Sequence, residues 1–121
     1  MRLDAQGLPV VEEVENDLKS FQKIVGGLIE VVYFGKDVLC IINEEGKLDG
    51  LKPNFAYPIE IEEQTFYDII VGNCFFVGDD GYTFRSLTDK ELRHAIEVAS
   101  DGRDMLYDMA MKQMFEGLVN G

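Results

Sequence analysis

Residues 24–50, IVGGLIEVVYFGKDVLCIINEEGKLDG, decide the fold. Leu28–Phe34 and Asp37–Ile42 are both rich in β-branched and aromatic residues, which suit a pleated, half-buried surface. Gly35-Lys36 separates them, and glycine supplies the positive φ that tight hairpin loops need. The stretch therefore predicts a β-hairpin. Alternation puts Ile29, Val31 and Tyr33 on one face and Leu28, Glu30, Val32 and Phe34 on the other. Both faces are mostly apolar, so the first strand is expected at the centre of its sheet. Asn43-Glu44-Glu45-Gly46-Lys47 reads as the polar turn that ends the second strand.

Working outward, Pro9–Val11 suggests a short edge strand, where proline is tolerated, and residues 1–8 read as a frayed start. Asn16 is placed as the N-cap of a helix running to Val25, with Asp17 in its first turn and Gly26-Gly27 as its stop. Leu48–Ala56 reads as a loop, anchored by Leu51 and Phe55. Tyr57–Glu63 alternates apolar and acidic residues and is either an edge strand or an acidic loop. In Phe66–Val77, Gly72-Asn73 marks a tight turn or sharp bend, with a bulge as the other reading. Tyr82–Phe84 is one more short strand. Thr88-Asp89-Lys90-Glu91 matches a capping box that opens a helix. Asp101-Gly102 reads as a break, followed by a second, Met-rich helix over about 104–116. The expected architecture is one α+β domain over residues 1–121, a mixed or antiparallel sheet with an N-terminal helix and two C-terminal helices.

The chain has 121 residues, 46% of them apolar, which is enough for a globular domain without disulfide support. Its 23 acidic and 11 basic residues leave a net charge of −12, and no basic cluster exists to hold phosphates. Direct nucleic-acid binding is therefore not expected, whereas an acidic surface can attract a basic partner or imitate nucleic acid. Cys40 and Cys74 lie in apolar runs and fit a reducing compartment. With no signal-peptide pattern and no apolar run near the ~20 residues of a membrane span, a cytoplasmic protein is expected.

The motifs of known chemistry are missing. His94 is the single histidine. A dyad with Cys40 or Cys74 would need the fold to bring them together, and a structural histidine is the simpler reading. Asp79-Asp80-Gly81 lacks the alternating carboxylates and closing Glu of a calcium loop, and no CxxC or HExxH occurs. Gly26-Gly27 follows a helix and precedes a strand, the reverse of a phosphate cradle. No catalytic residue, metal ligand or cofactor is assigned, and a non-enzymatic role is expected.

Two surfaces remain. Glu30 interrupts an apolar strand, and Asn43, Glu44, Glu45, Lys47 and Asn54 lie in the adjoining loops. Together they form a candidate binding surface, against the simpler reading of a solvent-facing Glu and loop-fixing asparagines. Met105, Met109, Met111, Met114 and Phe115 spread apolar surface round most of the last helix, a candidate oligomer contact, as in a homodimer, against packing within the chain.

The phrases ENDLKSFQKIVGGLIEVV (15–32), INEEGKLDGLKPNFA (42–56), DIIVGNCFFVG (68–78) and SLTD (86–89) resemble an uncharacterised family of small proteins, a domain of unknown function. Its members are encoded by phages, plasmids and mobile elements of Gram-positive bacteria. The likeness covers about residues 10–92. It implies an accessory role with a host or mobile-element protein as partner, and it supplies no reaction. The chain departs from the family's clear first strand at MRLDAQG, and the Met-rich helix lies beyond the resembling part. The expected function is protein–protein binding, with acidic mimicry of nucleic acid as one mechanism. The alternative is a small-ligand binder with a pocket between sheet and helices.

Overall fold

The computed structural model describes residues 1–120, without the side chains of Val119 and Asn120. Its main sheet runs in the order β1 (Arg2–Leu3), β6 (Cys74–Asp79), β3 (Val38–Asn43), β2 (Ile29–Tyr33), with β7 (Phe84–Arg85) pairing the end of β6. β4 (Pro53–Ile61) and β5 (Gln64–Val71) form a separate two-stranded sheet, and every pairing is antiparallel. The expected α+β class holds; of the expected mixed or antiparallel sheet the structure has the antiparallel form, divided into two sheets. The helix count does not hold: among the described residues α1 (Leu18–Val25) is followed by one C-terminal helix, α2 (Asp89–Asn120).

Alternation along β3 and β6 sorts two cores. Val38, Cys40, Cys74 and Phe76 face one way and pack with Leu3, Phe55, Ile70, Ala95 and Ala99, beneath β4–β5 and α2. Ile41, Phe75 and Val77 face the other way, beneath Phe21, Ile24 and Val25 of α1. The central strands are thus buried on both faces, which explains their unbroken apolar runs. β2 is the edge strand, contrary to the expectation from its composition. It pairs on one side only, with β3, and leaves Glu30, Val31 and Tyr33 exposed.

Other expectations shift for local reasons. Asp17, not Asn16, caps α1: it is extended (φ −143°) and its carboxylate accepts from the Ser20 amide, while Asn16 donates to the Phe84 carbonyl at 2.8 Å. The start of the chain is ordered, because Met1 and Leu3 are buried. The Met1 amino group donates to the Phe76 carbonyl at 2.8 Å, and burial lowers its pKa to about 6. Only Val10 of the proposed 9–11 strand pairs, by a bridge to Arg2. The 48–56 loop ends early, and β4 begins at Pro53. The Glu62-Glu63 turn joins β4 to β5 with both residues at positive φ (50° and 67°), a geometry that usually recruits Asn-Gly. Gly72-Asn73 is the sharp bend by which the chain leaves the small sheet for the main one.

Thr88 and Glu91 form the expected capping box. The Glu91 carboxylate accepts from the Thr88 amide at 2.9 Å, and the Glu91 amide donates to Thr88 Oγ1 at 3.2 Å. The carboxylate also takes both arms of the Arg85 guanidinium, at 2.6 and 2.8 Å. Arg85 first, then the Thr88 amide, pull the Glu91 pKa down to about 2. A depressed carboxylate stabilises the fold in full above its ordinary pKa of 4.5 and loses that contribution as pH falls toward 2. Glu91→Gln is therefore expected to cost about 1–2 kcal/mol at pH 7. In urea titrations the gap between variant and parent should close between pH 4.5 and about 2. A gap that stayed constant with pH would contradict the assignment.

Candidate functional site

A cleft of about 210 Å³ opens where β2 and the turn after β3 meet the flank of the β4–β5 hairpin. Its walls include Glu30 and Val32 from β2, Asn43–Leu48 from the turn, Tyr57 from β4 and Asp68 from β5. Five of the six residues proposed as a binding surface therefore converge there. Asn54 does not: it is 2% exposed and sits in the core, bonded to backbone. Asn43 is 6% exposed and also structural. Its amide donates to the Val25 carbonyl at 3.2 Å and its oxygen accepts from the Glu45 amide at 2.8 Å, which ties α1 to the turn. Both asparagines fix loops, and neither presents an exposed polar group to a partner. Glu30, Glu44, Glu45 and Lys47 are exposed.

Tyr57 and Asp68, which sequence reading passed over, form the polar floor. They are cross-strand partners in the β4–β5 register, and the Tyr57 hydroxyl donates to Asp68 Oδ2 at 3.2 Å. Lys47 bonds Asp68 Oδ1, and the Ile69 amide adds a further donor at 2.8 Å. Burial acts to raise the Asp68 pKa, but the Lys47, Ile69 and Tyr57 bonds outweigh it and hold the carboxylate below its ordinary range. Burial first, and then the neighbouring Asp68 charge, push Tyr57 up to about 12. The tyrosine is therefore a neutral donor at neutral pH and not a ready base. With Lys47 already engaged, the rim carboxylates Glu30, Glu44 and Glu45 leave the cleft net negative. The only advance sign of the floor was the alternation Asp68, Ile70 opposite Tyr57, Phe55, which needs the register to be read.

A second, larger cleft of about 520 Å³ lies between residues 11–16 and the α1 face of the main sheet. Phe21, Phe75, Phe84, Val77 and Leu87 supply apolar lining, and Glu12, Glu13, Asn16 and Arg85 supply polar lining.

The residues weighed for catalysis are taken up structurally. His94 donates from Nε2 to the Phe34 carbonyl at 2.8 Å. Cys40 and Cys74 are unoxidised and fully buried, and desolvation, with the adjoining Cys74 thiol, pushes Cys40 well above the ordinary thiol range. Asp79 caps its own turn, accepting from the Gly81 amide at 2.8 Å. Among the described residues no group of His, Cys, Asp or Glu is placed to hold a metal ion, and no helix is long and apolar enough to cross a membrane.

The proposed oligomer contact divides. Met105 and Met109 are half-buried, whereas Met111, Met114 and Phe115 are exposed. With Tyr107 and Leu118 they complete an exposed apolar stripe at helical spacing on the part of α2 that extends past the sheets.

No curated protein and no solved structure matches the chain. The family model for a domain of unknown function (DUF3846) matches residues 1–100. The match takes in the MRLDAQG segment that had looked like a departure and stops within α2, before the exposed stripe. Covering the main sheet, the small sheet and the first part of α2, it shows that the chain belongs to the DUF3846 family.

Proposed function

We propose that the protein is a non-enzymatic accessory protein of a phage or mobile element, acting in the cytoplasm by binding a host or element-encoded protein through its acidic face. The observation that carries this reading is the cleft rimmed by Glu30, Glu44 and Glu45, whose one cation, Lys47, is already engaged by Asp68. A lysine or arginine side chain entering there meets carboxylates and the Tyr57 ring. The net charge of −12 extends the same attraction over long range, which is how a protein imitates nucleic acid toward a basic partner. The origin in mobile elements rests on the resemblance of the 15–32, 42–56 and 68–78 phrases. The buried thiols fit a reducing compartment.

Capture of partners from host lysate at two salt concentrations tests the reading. Retention is expected to fall steeply with salt. It should also fall at low salt in a Glu30→Gln, Glu44→Gln, Glu45→Gln variant that melts at the parental temperature. Binding that ignores salt and is lost with Met114→Glu would move the contact to the exposed helix stripe. The 520 Å³ cleft, with aromatic lining and a few polar groups, supports the second reading, a small-ligand binder. A small apolar molecule retained in native mass spectra of the purified protein would favour it.

A further inference from the structure

We infer that the outer edge of β2 is the contact of a two-fold homodimer, in which two copies pair antiparallel about Val31 and join their main sheets into one. The seam shares Glu30 and Val32 with the wall of the acidic cleft, but it is tested by oligomeric state and not by capture of a partner. Phe34 donates to the Val38 carbonyl and Glu44 to the Leu28 carbonyl, both at 2.9 Å. With the register Glu30↔Ile42 and Val32↔Cys40, these bonds turn the backbone of residues 28, 30, 32 and 34 inward to β3. Ile29, Val31 and Tyr33 therefore aim their N–H and C=O groups out of the sheet, and among the described residues no strand meets them.

The opposite end of the main sheet is β1. β1 is two residues long and is bridged by Val10. β2 has no lysine, proline or bulge, its one charge is Glu30, and it carries exposed Val31 and Tyr33 with exposed Leu28 just before it.

A second copy fits this edge because the edge is self-complementary. Antiparallel pairing about Val31 sets Val31 opposite Val31 of the second copy and Ile29 opposite its Tyr33. All the outward N–H and C=O groups of Ile29, Val31 and Tyr33 are then satisfied by the same three residues of the other chain. Glu30 falls opposite Val32, so the one charge of the strand is not set directly against its own copy. On the α1 face, the Val31 pair and the Ile29–Tyr33 pairs continue an apolar groove lined by Leu18, Leu39 and Tyr82. A shift of the register by one residue would turn inward-bonded groups to the interface and leave the outward ones unmet.

Sedimentation equilibrium on the full chain is expected to give twice the 13.7 kDa chain mass. Val31→Pro removes the central outward N–H without touching a bond to β3, and it is expected to give a monomer with an unchanged far-ultraviolet spectrum. Because that variant could disturb the strand, Val31→Cys provides a second measure. The directly opposed Cα atoms lie about 5.5 Å apart in such a pair, within disulfide range. Diamide should therefore couple two Val31→Cys chains by oxidising their two thiols. It should not couple Glu30→Cys chains, whose two copies stand on a diagonal of roughly 7–8 Å. A monomeric parent at 100 µM-scale concentration overturns the inference. So does a dimer that fails to crosslink through Val31→Cys, or one that is abolished by Met114→Glu, which would place the contact on α2.

Discussion

Replacing Gly102 with alanine is expected to destabilise the protein by roughly 2–4 kcal/mol, although alanine is the better helix former by about 1 kcal/mol. Gly102 is buried where α2 crosses β4. A Cβ there would stand 2.2 Å from the Ala56 carbonyl oxygen, 2.9 Å from Cδ2 of Phe55 and 3.1 Å from its Cβ. The carbonyl belongs to a strand and cannot swing aside, and Phe55 is fully buried. The helix must lift from the sheet or the strand must bend, and either opens the core around Phe55, Ala95 and Ala99. Thermal denaturation should show a drop of roughly 10 °C. Gly117→Ala, on the same helix with nothing within 4 Å of its added Cβ, should leave the midpoint unchanged or raise it. If Gly102→Ala behaved like Gly117→Ala, the close crossing would be wrong and propensity alone would govern the position.

The same glycine shows why the C-terminal helix was misread as two. Local rules treat Asp-Gly as punctuation, and Asp101-Gly102 interrupts the apolar residues of the helix opened by the capping box. Yet Ala95, Ala99 and Gly102 follow one another at helical spacing, and all three are buried. Small residues on one face let a helix approach a strand closely, so the glycine continues the face in place of ending the helix. The order of the hairpin strands failed for a different reason. Leu28–Phe34 and Asp37–Ile42 look alike in composition, and what separates centre from edge is a partner more than thirty residues away, β6. The hairpin itself, the capping box and the Gly72 bend depend on neighbours in sequence and were legible, whereas the choice between a mixed and an antiparallel sheet rests on the distant β6 pairings. Of the cleft, the rim was legible because charged residues break an apolar pattern. The Tyr57–Asp68 floor depends on cross-strand register, which a single strand does not display.

Asn54→Asp should be nearly as damaging as Asn54→Ala, each costing roughly 3–5 kcal/mol, because the side chain is held at both ends. Its Nδ2 donates to the carbonyls of Leu3 at 2.9 Å and Gly72 at 2.8 Å, and its Oδ1 accepts from Arg103 at 2.9 Å. Arg103 spreads further, to the carbonyls of Asp4 (2.9 Å) and Gly7 and to that of Asn54 itself (3.3 Å). Two side chains thus bind the first residues, the start of β4, the Gly72 bend and α2 at one point. Alanine removes the side-chain donor from the Leu3 and Gly72 carbonyls, leaves Leu3 with the weak Cys74 thiol as its side-chain donor, and leaves the Nη2 arm of Arg103 with the Asp4 carbonyl alone. Aspartate offers Arg103 a stronger acceptor but sets a carboxylate oxygen against both carbonyls, and that repulsion in a buried site outweighs the added ion pair. Arg103→Lys should also fail to rescue, since one ammonium cannot span carbonyls that the planar fork reaches on separate segments. Urea denaturation supplies the magnitudes, and amide exchange locates the damage. The Arg2 and Gly7 amides, bonded to the Val10 and Asp4 carbonyls, should lose protection first. If Asn54→Asp kept the parental stability while Asn54→Ala did not, the charge on Arg103 would be the dominant partner and the two carbonyls incidental to the site.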